Sequence, residues 1–127
     1  MVRYRYNQQY TPPAPFVHVT VRCAQTGLEV QEQPAQIDTA ADRTVIPLPL
    51  VEKLAAIPVR QLPVAGLAGS IFHLSTYLLQ LTIRQLPTIT LEVLATHDEA
   101  HILLGRDALN QFRMRLDGPG LLLDLDG

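Results

Sequence analysis

Apolar and polar residues alternate with a period of two through much of this chain, a pattern typical of half-buried β-strands. The segment Phe16–Arg22 shows the alternation, and a turn at residues 25–27 leads into a second predicted strand over residues 28–37. Two further strands are predicted over residues 76–83 and 88–94, each with its Leu, Ile and Val side chains on one face. The pattern therefore predicts an all-β domain.

Shorter elements are predicted between and after these strands. We expect short strands at residues 44–46, 101–105, 113–116 and 121–125, and brief helices at 47–54 and 106–112. The glycines of residues 64–70 indicate a hairpin tip. Prolines at positions 12, 13 and 15 interrupt the pattern, so we predict a flexible or dimer-edge leader over residues 1–15 and one domain over 16–127.

Composition narrows the class of protein. The 127 residues suit one domain, and the net charge of -2 with scattered basic residues argues against a nucleic-acid partner. The chain contains no apolar run near the roughly 20 residues of a membrane-spanning helix, and its lone Cys23 favours a reducing compartment. We therefore expect a cytoplasmic protein without a membrane partner. The initial Met and the lack of a fused segment favour a cellular rather than a polyprotein context.

One carboxylate is placed unusually. Asp38 directly follows the predicted strand over residues 28–37, and Thr39 and two alanines come after it. Burying an aspartate at such a position is costly unless its charge is paired or used, and the small residues allow a tight turn that approaches a ligand. This stretch occurs once in the chain, and it predicts an active-site loop.

Two separated motifs resemble those of one family, the retroviral-type or retropepsin-like aspartic proteases. The residues 37–42, Ile-Asp-Thr-Ala-Ala-Asp, resemble the family's Asp-Thr-Gly-Ala signature, and residues 102–107, Ile-Leu-Leu-Gly-Arg-Asp, resemble its apolar-apolar-Gly-Arg element. The resemblance implies a closed β-barrel protomer with one short helix near the C-terminus. It also implies a two-fold homodimer, because a chain with one signature must obtain its second catalytic Asp from another molecule.

The resemblance further implies an aspartic endopeptidase without metal or cofactor that hydrolyses an extended peptide or protein substrate. Asp38 would be the catalytic residue. Thr39 would reach across the two-fold axis, Ala41 would line the groove, Asp42 would contact substrate and pair with Arg106, and Gly105 would allow a close backbone approach. The flap would contain Gly66, Leu67, Ala68 and Gly69, with Ile46, Leu67 and Ile71 as pocket walls.

Two alternatives stay open. Ala40 replaces the signature's Gly and its β-carbon would crowd the loop if this position has a positive φ, so a noncatalytic dimerisation or peptide-binding module of the same fold is the competing hypothesis. His97 and His101 are four residues apart, as in some zinc proteases. The acidic residue between them is one position late for that motif, and the loop is too short for the helix that it needs.

Overall fold

Most of the chain forms β-strands that are joined by short turns. The computed structural model describes residues 1–127, except for the side chain of Leu67. Along this chain there are ten strands and two short α-helices, in the order β1 (Val2–Arg5), β2 (Phe16–Arg22), β3 (Glu29–Ile37), β4 (Val45–Pro47), α1 (Leu48–Lys53), β5 (Gln61–Ala65), β6 (Ile71–Thr82), β7 (Ile89–Thr96), β8 (Ile102–Leu104), α2 (Arg106–Leu109), β9 (Arg113–Asp117) and β10 (Leu122–Asp126).

Six of the strands close into a barrel. Their order is β2-β3-β8-β4-β7-β6, and β6 pairs with β2 to complete the ring, while β5 adds to the outer edge of β6. The inward-facing residues form one apolar core, which includes the fully buried Val17, Val19 and Leu79. The predicted all-β closed barrel is therefore confirmed.

The pairing of β3 with β8 positions the candidate site. These strands run parallel, and Ala35 and Ile37 lie opposite Ile102 and Leu104. The carboxyl ends of parallel strands meet at the same edge of a sheet. Asp38 and Gly105, which directly follow β3 and β8, are thereby brought to one edge of the barrel although they are distant in sequence.

The N-terminal residues form part of a second sheet. Strand β1 pairs with β10, which pairs in turn with β9, and Val2 and Tyr4 are buried in the core. On the outer face, Arg3 forms an ion pair with Asp124 in which its Nε lies 2.7 Å from Oδ1. The prediction of a flexible leader is thus wrong for Val2–Arg5, since these residues bury apolar side chains. A dimer-edge position for this segment stays a prediction.

Two predicted boundaries also differ from the structure. Strand β6 begins at Ile71 rather than Thr76, because its first five residues pair with β5. Helix α2 ends at Leu109 rather than Phe112, since the amides of Gln111 and Phe112 bond to carbonyls only three residues back, as in a tighter turn. Along the described chain, neither helix has the length and apolar character needed to cross a membrane.

Candidate active site

Asp38 begins a tight turn at the end of β3. Its backbone N–H donates to the Leu104 carbonyl at 3.0 Å, which extends the β3–β8 pairing by one bond. The carboxylate Oδ1 accepts a hydrogen bond from the Ala40 N–H at 3.1 Å, and the Asp38 carbonyl accepts one from Ala41 at 3.2 Å. The Asp38 side chain is half-buried. The loop therefore holds a carboxylate with one oxygen turned back to the backbone and a surface open to solvent.

Ala40 fits this turn without backbone strain. It is not among the residues with positive φ, and its side chain is exposed. Residues other than glycine are strained mainly at positive φ, so alanine replaces the signature's glycine here without that backbone strain. The methyl group changes the surface of the site and leaves the path of the loop intact.

The second motif holds this loop from behind. The Arg106 N–H donates to the Ala41 carbonyl at 2.9 Å, and the Arg106 Nη1 donates to the Thr39 carbonyl at 2.8 Å. Gly105 packs directly against the loop, since a Cβ there would lie 2.5 Å from the Arg43 carbonyl carbon and 2.7 Å from its oxygen. Only a glycine fits this approach, so the two motifs predicted from sequence are brought into contact.

The expected ion pair between Asp42 and Arg106 is absent among the described side chains. The Arg106 guanidinium is turned to the Thr39 carbonyl instead, and Asp42 is exposed on the following turn. The prediction of a buried charge pair is wrong. Arg106, at the start of α2, thus donates to a backbone carbonyl of the loop that contains Asp38. The charge of Asp42 is exposed to solvent instead of being paired.

Thr44 and Asp107 belong to the site but were not predicted. The Thr44 hydroxyl donates to Asp107 Oδ1 at 2.7 Å, and the Thr44 N–H lies 3.0 and 3.1 Å from the two carboxylate oxygens. The available signal was the Asp that follows Gly-Arg at a helix start, a position that favours acidic side chains. Its partner 63 residues earlier could not be inferred from this signal.

The predicted glycine-bearing tip closes the β5–β6 hairpin. The strands pair from Gln61 opposite Ser75 to Ala65 opposite Ile71, and the Gly66 N–H donates to the Ser70 carbonyl at 2.7 Å. At the tip Ala68 and Gly69 both have positive φ, 58° and 76°. The hairpin is confirmed, and its action as a flap stays a prediction.

Apolar side chains are exposed on this hairpin. Ile71 and Phe72 are 67% and 57% exposed, whereas Ile46 is fully buried in the core and is not available as a pocket wall. The Leu67 side chain, predicted to contact substrate, lies outside the described residues. A cavity of about 300 Å³ separates the hairpin stem from the active-site loop and is lined by Leu62–Ala65, Leu94, Asp42 and Arg43.

The histidines of the 97–101 segment do not form a metal-binding cluster with other described side chains. Within the described part of the chain, no three His, Cys, Asp or Glu side chains are grouped so that they could hold a metal ion. His101 lies 3.0 Å from Gln36 Oε1 through Nε2, and its ring packs edge-on against Phe16 at 4.9 Å. The His101 ring thus contributes to packing near the end of β3.

The fold is shared with solved aspartic proteases. A retropepsin-like aspartic protease from Rickettsia conorii is 14% identical with a TM-score of 0.64, and the match covers 99% of this chain and 92% of that one. The EIAV protease in complex with the inhibitor HBY-793 is 18% identical with a TM-score of 0.59, covering 85% and 93%. The retroviral protease-like domain of Ddi1 from Leishmania major is 15% identical with a TM-score of 0.57, covering 90% and 89%.

No known family's sequence profile matches the chain, and no curated protein matches its sequence. The structural matches therefore define the class: the chain has the retropepsin-like fold. The resemblance of its two motifs to this family is confirmed at the level of the fold. Asp38 lies in the loop that those motifs form together.

Proposed function

We propose that this protein is an aspartic endopeptidase whose catalytic carboxylate is Asp38. The observation that carries the proposal is the position of Asp38, half-buried at the end of β3 in a loop held by the Gly105–Arg106 segment. The retropepsin-like fold around this loop supports the assignment. Ala40 is not among the residues with positive φ, so the replacement of Gly brings no left-handed backbone strain to the loop.

The proposed enzyme is a homodimer. The chain contributes a single Asp38, and a two-carboxylate mechanism then requires a second copy related by a two-fold axis. Thr39 is exposed, and its hydroxyl forms no hydrogen bond among the described residues. It is thus available to bond to the partner's loop, where it would hold the two Asp38 side chains at a fixed separation.

The chemistry follows from two carboxylates that share one proton. Two carboxyl groups a few Å apart do not both ionise readily, because the like charges repel, so the pair shares a single proton. The ionised Asp38 acts as general base on a water molecule, which attacks the peptide carbonyl, while the protonated Asp38 of the other copy donates to the carbonyl oxygen. The proton taken from water then passes to the leaving nitrogen as the C–N bond breaks, and a hydroxyl proton of the intermediate returns to the other Asp38. The reaction consumes one water and yields two peptides.

An extended peptide is the proposed substrate. The β5–β6 hairpin offers backbone groups for β-type pairing with such a chain, and its exposed Ile71 and Phe72 offer apolar surface. The cavity between the hairpin stem and Asp42 is large enough for one side chain. Closure of the hairpin over the peptide would exclude water from the dyad.

The proposal is tested by Asp38→Asn, with Glu52→Gln as the matched control because Glu52 is exposed on α1. Cleavage of a peptide library at acid to mildly acidic pH, and its inhibition by a statine-type analogue, should be lost in Asp38→Asn and kept in Glu52→Gln. Circular dichroism should show that both variants fold. A purified wild-type dimer that cleaves no peptide at any pH would overturn the enzyme assignment, and peptide binding without turnover would favour the noncatalytic module.

A further inference from the structure

Asp107 is a carboxylate that the proposed mechanism leaves unused. Its oxygens accept hydrogen bonds from the Thr44 N–H, the Thr44 hydroxyl and the Ala108 N–H, at distances from 2.7 to 3.1 Å. Among the described residues it forms no ion pair. Hydrogen bonds to an ionised acceptor are stronger than neutral ones, so this carboxylate is bound firmly to the segment that follows the active-site loop.

The Thr44 hydroxyl passes this interaction on to the second motif. Thr44 is fully buried, and its Oγ1 accepts a hydrogen bond from the Gly105 N–H at 3.2 Å. A hydroxyl has a single proton, and here it is donated to Asp107. The orientation of the hydroxyl is therefore fixed by the carboxylate, and its lone pair is directed to Gly105.

The Gly105 amide is the start of the segment that holds the catalytic loop. The next residue, Arg106, binds the Ala41 carbonyl through its backbone and the Thr39 carbonyl through its guanidinium. Both carbonyls lie within three residues of Asp38. Hydrogen bonds thus connect Asp107 to Thr44 and Thr44 to Gly105, and the next residue in the chain, Arg106, is hydrogen-bonded to the loop.

We propose that Asp107 is a positioning residue for catalysis, acting through Thr44 on the loop that holds Asp38; this inference rests on the proposed endopeptidase function. Two carboxylates on separate protomers must stand within reach of one water and one proton. A displacement of about 1 Å in such a constellation lowers the rate about 100-fold. Asp107 should therefore affect kcat more than substrate affinity.

Four variants separate positioning from general stability. Asp107→Ala removes the acceptor, and Asp107→Asn keeps one oxygen acceptor while replacing the other by a donor. Thr44→Val removes the hydroxyl with little change of shape, and Thr44→Ser keeps it. Glu52→Gln again serves as the matched control, because Glu52 is exposed on α1.

We expect kcat about 100-fold lower in Asp107→Ala and Thr44→Val, with KM within about twofold of wild type. Asp107→Asn should be intermediate, and Thr44→Ser should recover most of the activity. In Asp107→Ala, hydrogen exchange should show lost protection at the amides of Thr44, Gly105 and Arg106, while the protection of the Leu79 amide in the barrel stays unchanged. Rates are compared at enzyme concentrations where the specific activity no longer rises with concentration, so that the proposed dimer is fully formed in every variant.

Three results would overturn the inference: unchanged kcat in Asp107→Ala, unchanged protection of the Thr44, Gly105 and Arg106 amides, or a fall in activity that merely follows lost protection throughout the barrel. The exchange measurement also separates the two proposals. If the wild-type protein lacks peptidase activity, the proposed function fails, while selective loss of protection at these three amides in Asp107→Ala still supports positioning of the segments that hold the loop, and its absence still contradicts it.

Discussion

Gly105→Ala tests the close contact between the two motifs directly. The added Cβ would lie 2.5 Å from the carbonyl carbon of Arg43, 2.7 Å from its oxygen and 3.0 Å from its nitrogen. These are backbone atoms, and the next residue is held by the Thr44–Asp107 hydrogen bonds, so no flexible side chain can move aside. The φ of Gly105 is -86°, which alanine adopts freely. Any loss of stability is therefore steric.

The expected magnitude follows from this geometry. Overpacking a dense interior costs about 1–3 kcal/mol, and a clash with backbone on three atoms belongs at the upper end, about 3 kcal/mol. For a domain of this size each kcal/mol lowers the melting temperature by about 4 °C, which gives a fall of roughly 12 °C. With a urea m-value of about 2 kcal/mol/M, the unfolding midpoint falls by about 1.5 M.

Urea unfolding followed by circular dichroism measures this difference. Gly118→Ala is the matched control, because a Cβ at Gly118 meets no atom within 4 Å and its φ is outside the left-handed range. Its free energy of unfolding should stay within about 0.5 kcal/mol of wild type. A Gly105→Ala protein as stable as the Gly118→Ala control would contradict the close approach of the two segments.

Further outcomes are expected at the exposed Asp42 and the half-buried Glu92. Asp42→Asn should leave the free energy of unfolding within about 0.5 kcal/mol of wild type, because no ion pair with Arg106 is lost; a larger loss in urea would contradict this. The Arg60 guanidinium beside Glu92, helped by Thr76, holds the pKa of that carboxyl below its usual 4.5. The ion pair therefore stabilises the folded protein at pH values above about 4.5, the usual pKa of a glutamate. Glu92→Gln should accordingly lower the melting temperature near neutral pH. The difference should fade as the pH falls through the lowered pKa, and a difference that grows on acidification would refute the assignment.

Local patterns in the sequence were sufficient for most of the barrel. Strand β2 follows from period-two alternation, and β3 and α1 lie within their predicted ranges. Strand β1 was missed for a physical reason. Its four residues alternate too briefly to indicate a strand alone, and their order comes from pairing with β10, in which Arg3 meets Asp124 across 121 residues of sequence.

The β5–β6 hairpin shows a similar limit. The residues at the start of β6 include Ile71 and Phe72, which are exposed and follow no alternation between a buried and a solvent face. Residues 71–73 of β6 are all exposed, so no buried face imposes an alternation on this part of the hairpin. Its turn was visible only through glycine, and the pairing with β5 then fixed where β6 begins.

The choice between two acidic partners shows why the site was predicted only in part. Asp42 and Asp107 both lie near Arg106 in the folded chain, yet neither pairs with it among the described contacts. The arginine instead donates to the Thr39 carbonyl, a hydrogen bond that joins the start of α2 to the loop.

Asp107 in turn binds donors on Thr44, whose side chain is fully buried and needs a partner, whereas Asp42 is exposed and hydrated. Unsatisfied buried donors cost more than solvated charges. The parallel register that places Ile37 opposite Leu104 brings Asp38 and Gly105 to one edge of the barrel, and the Gly105 N–H there donates to the Thr44 hydroxyl. The hydrogen-bond partners of the site therefore follow from strand register, which the two motifs require but do not encode.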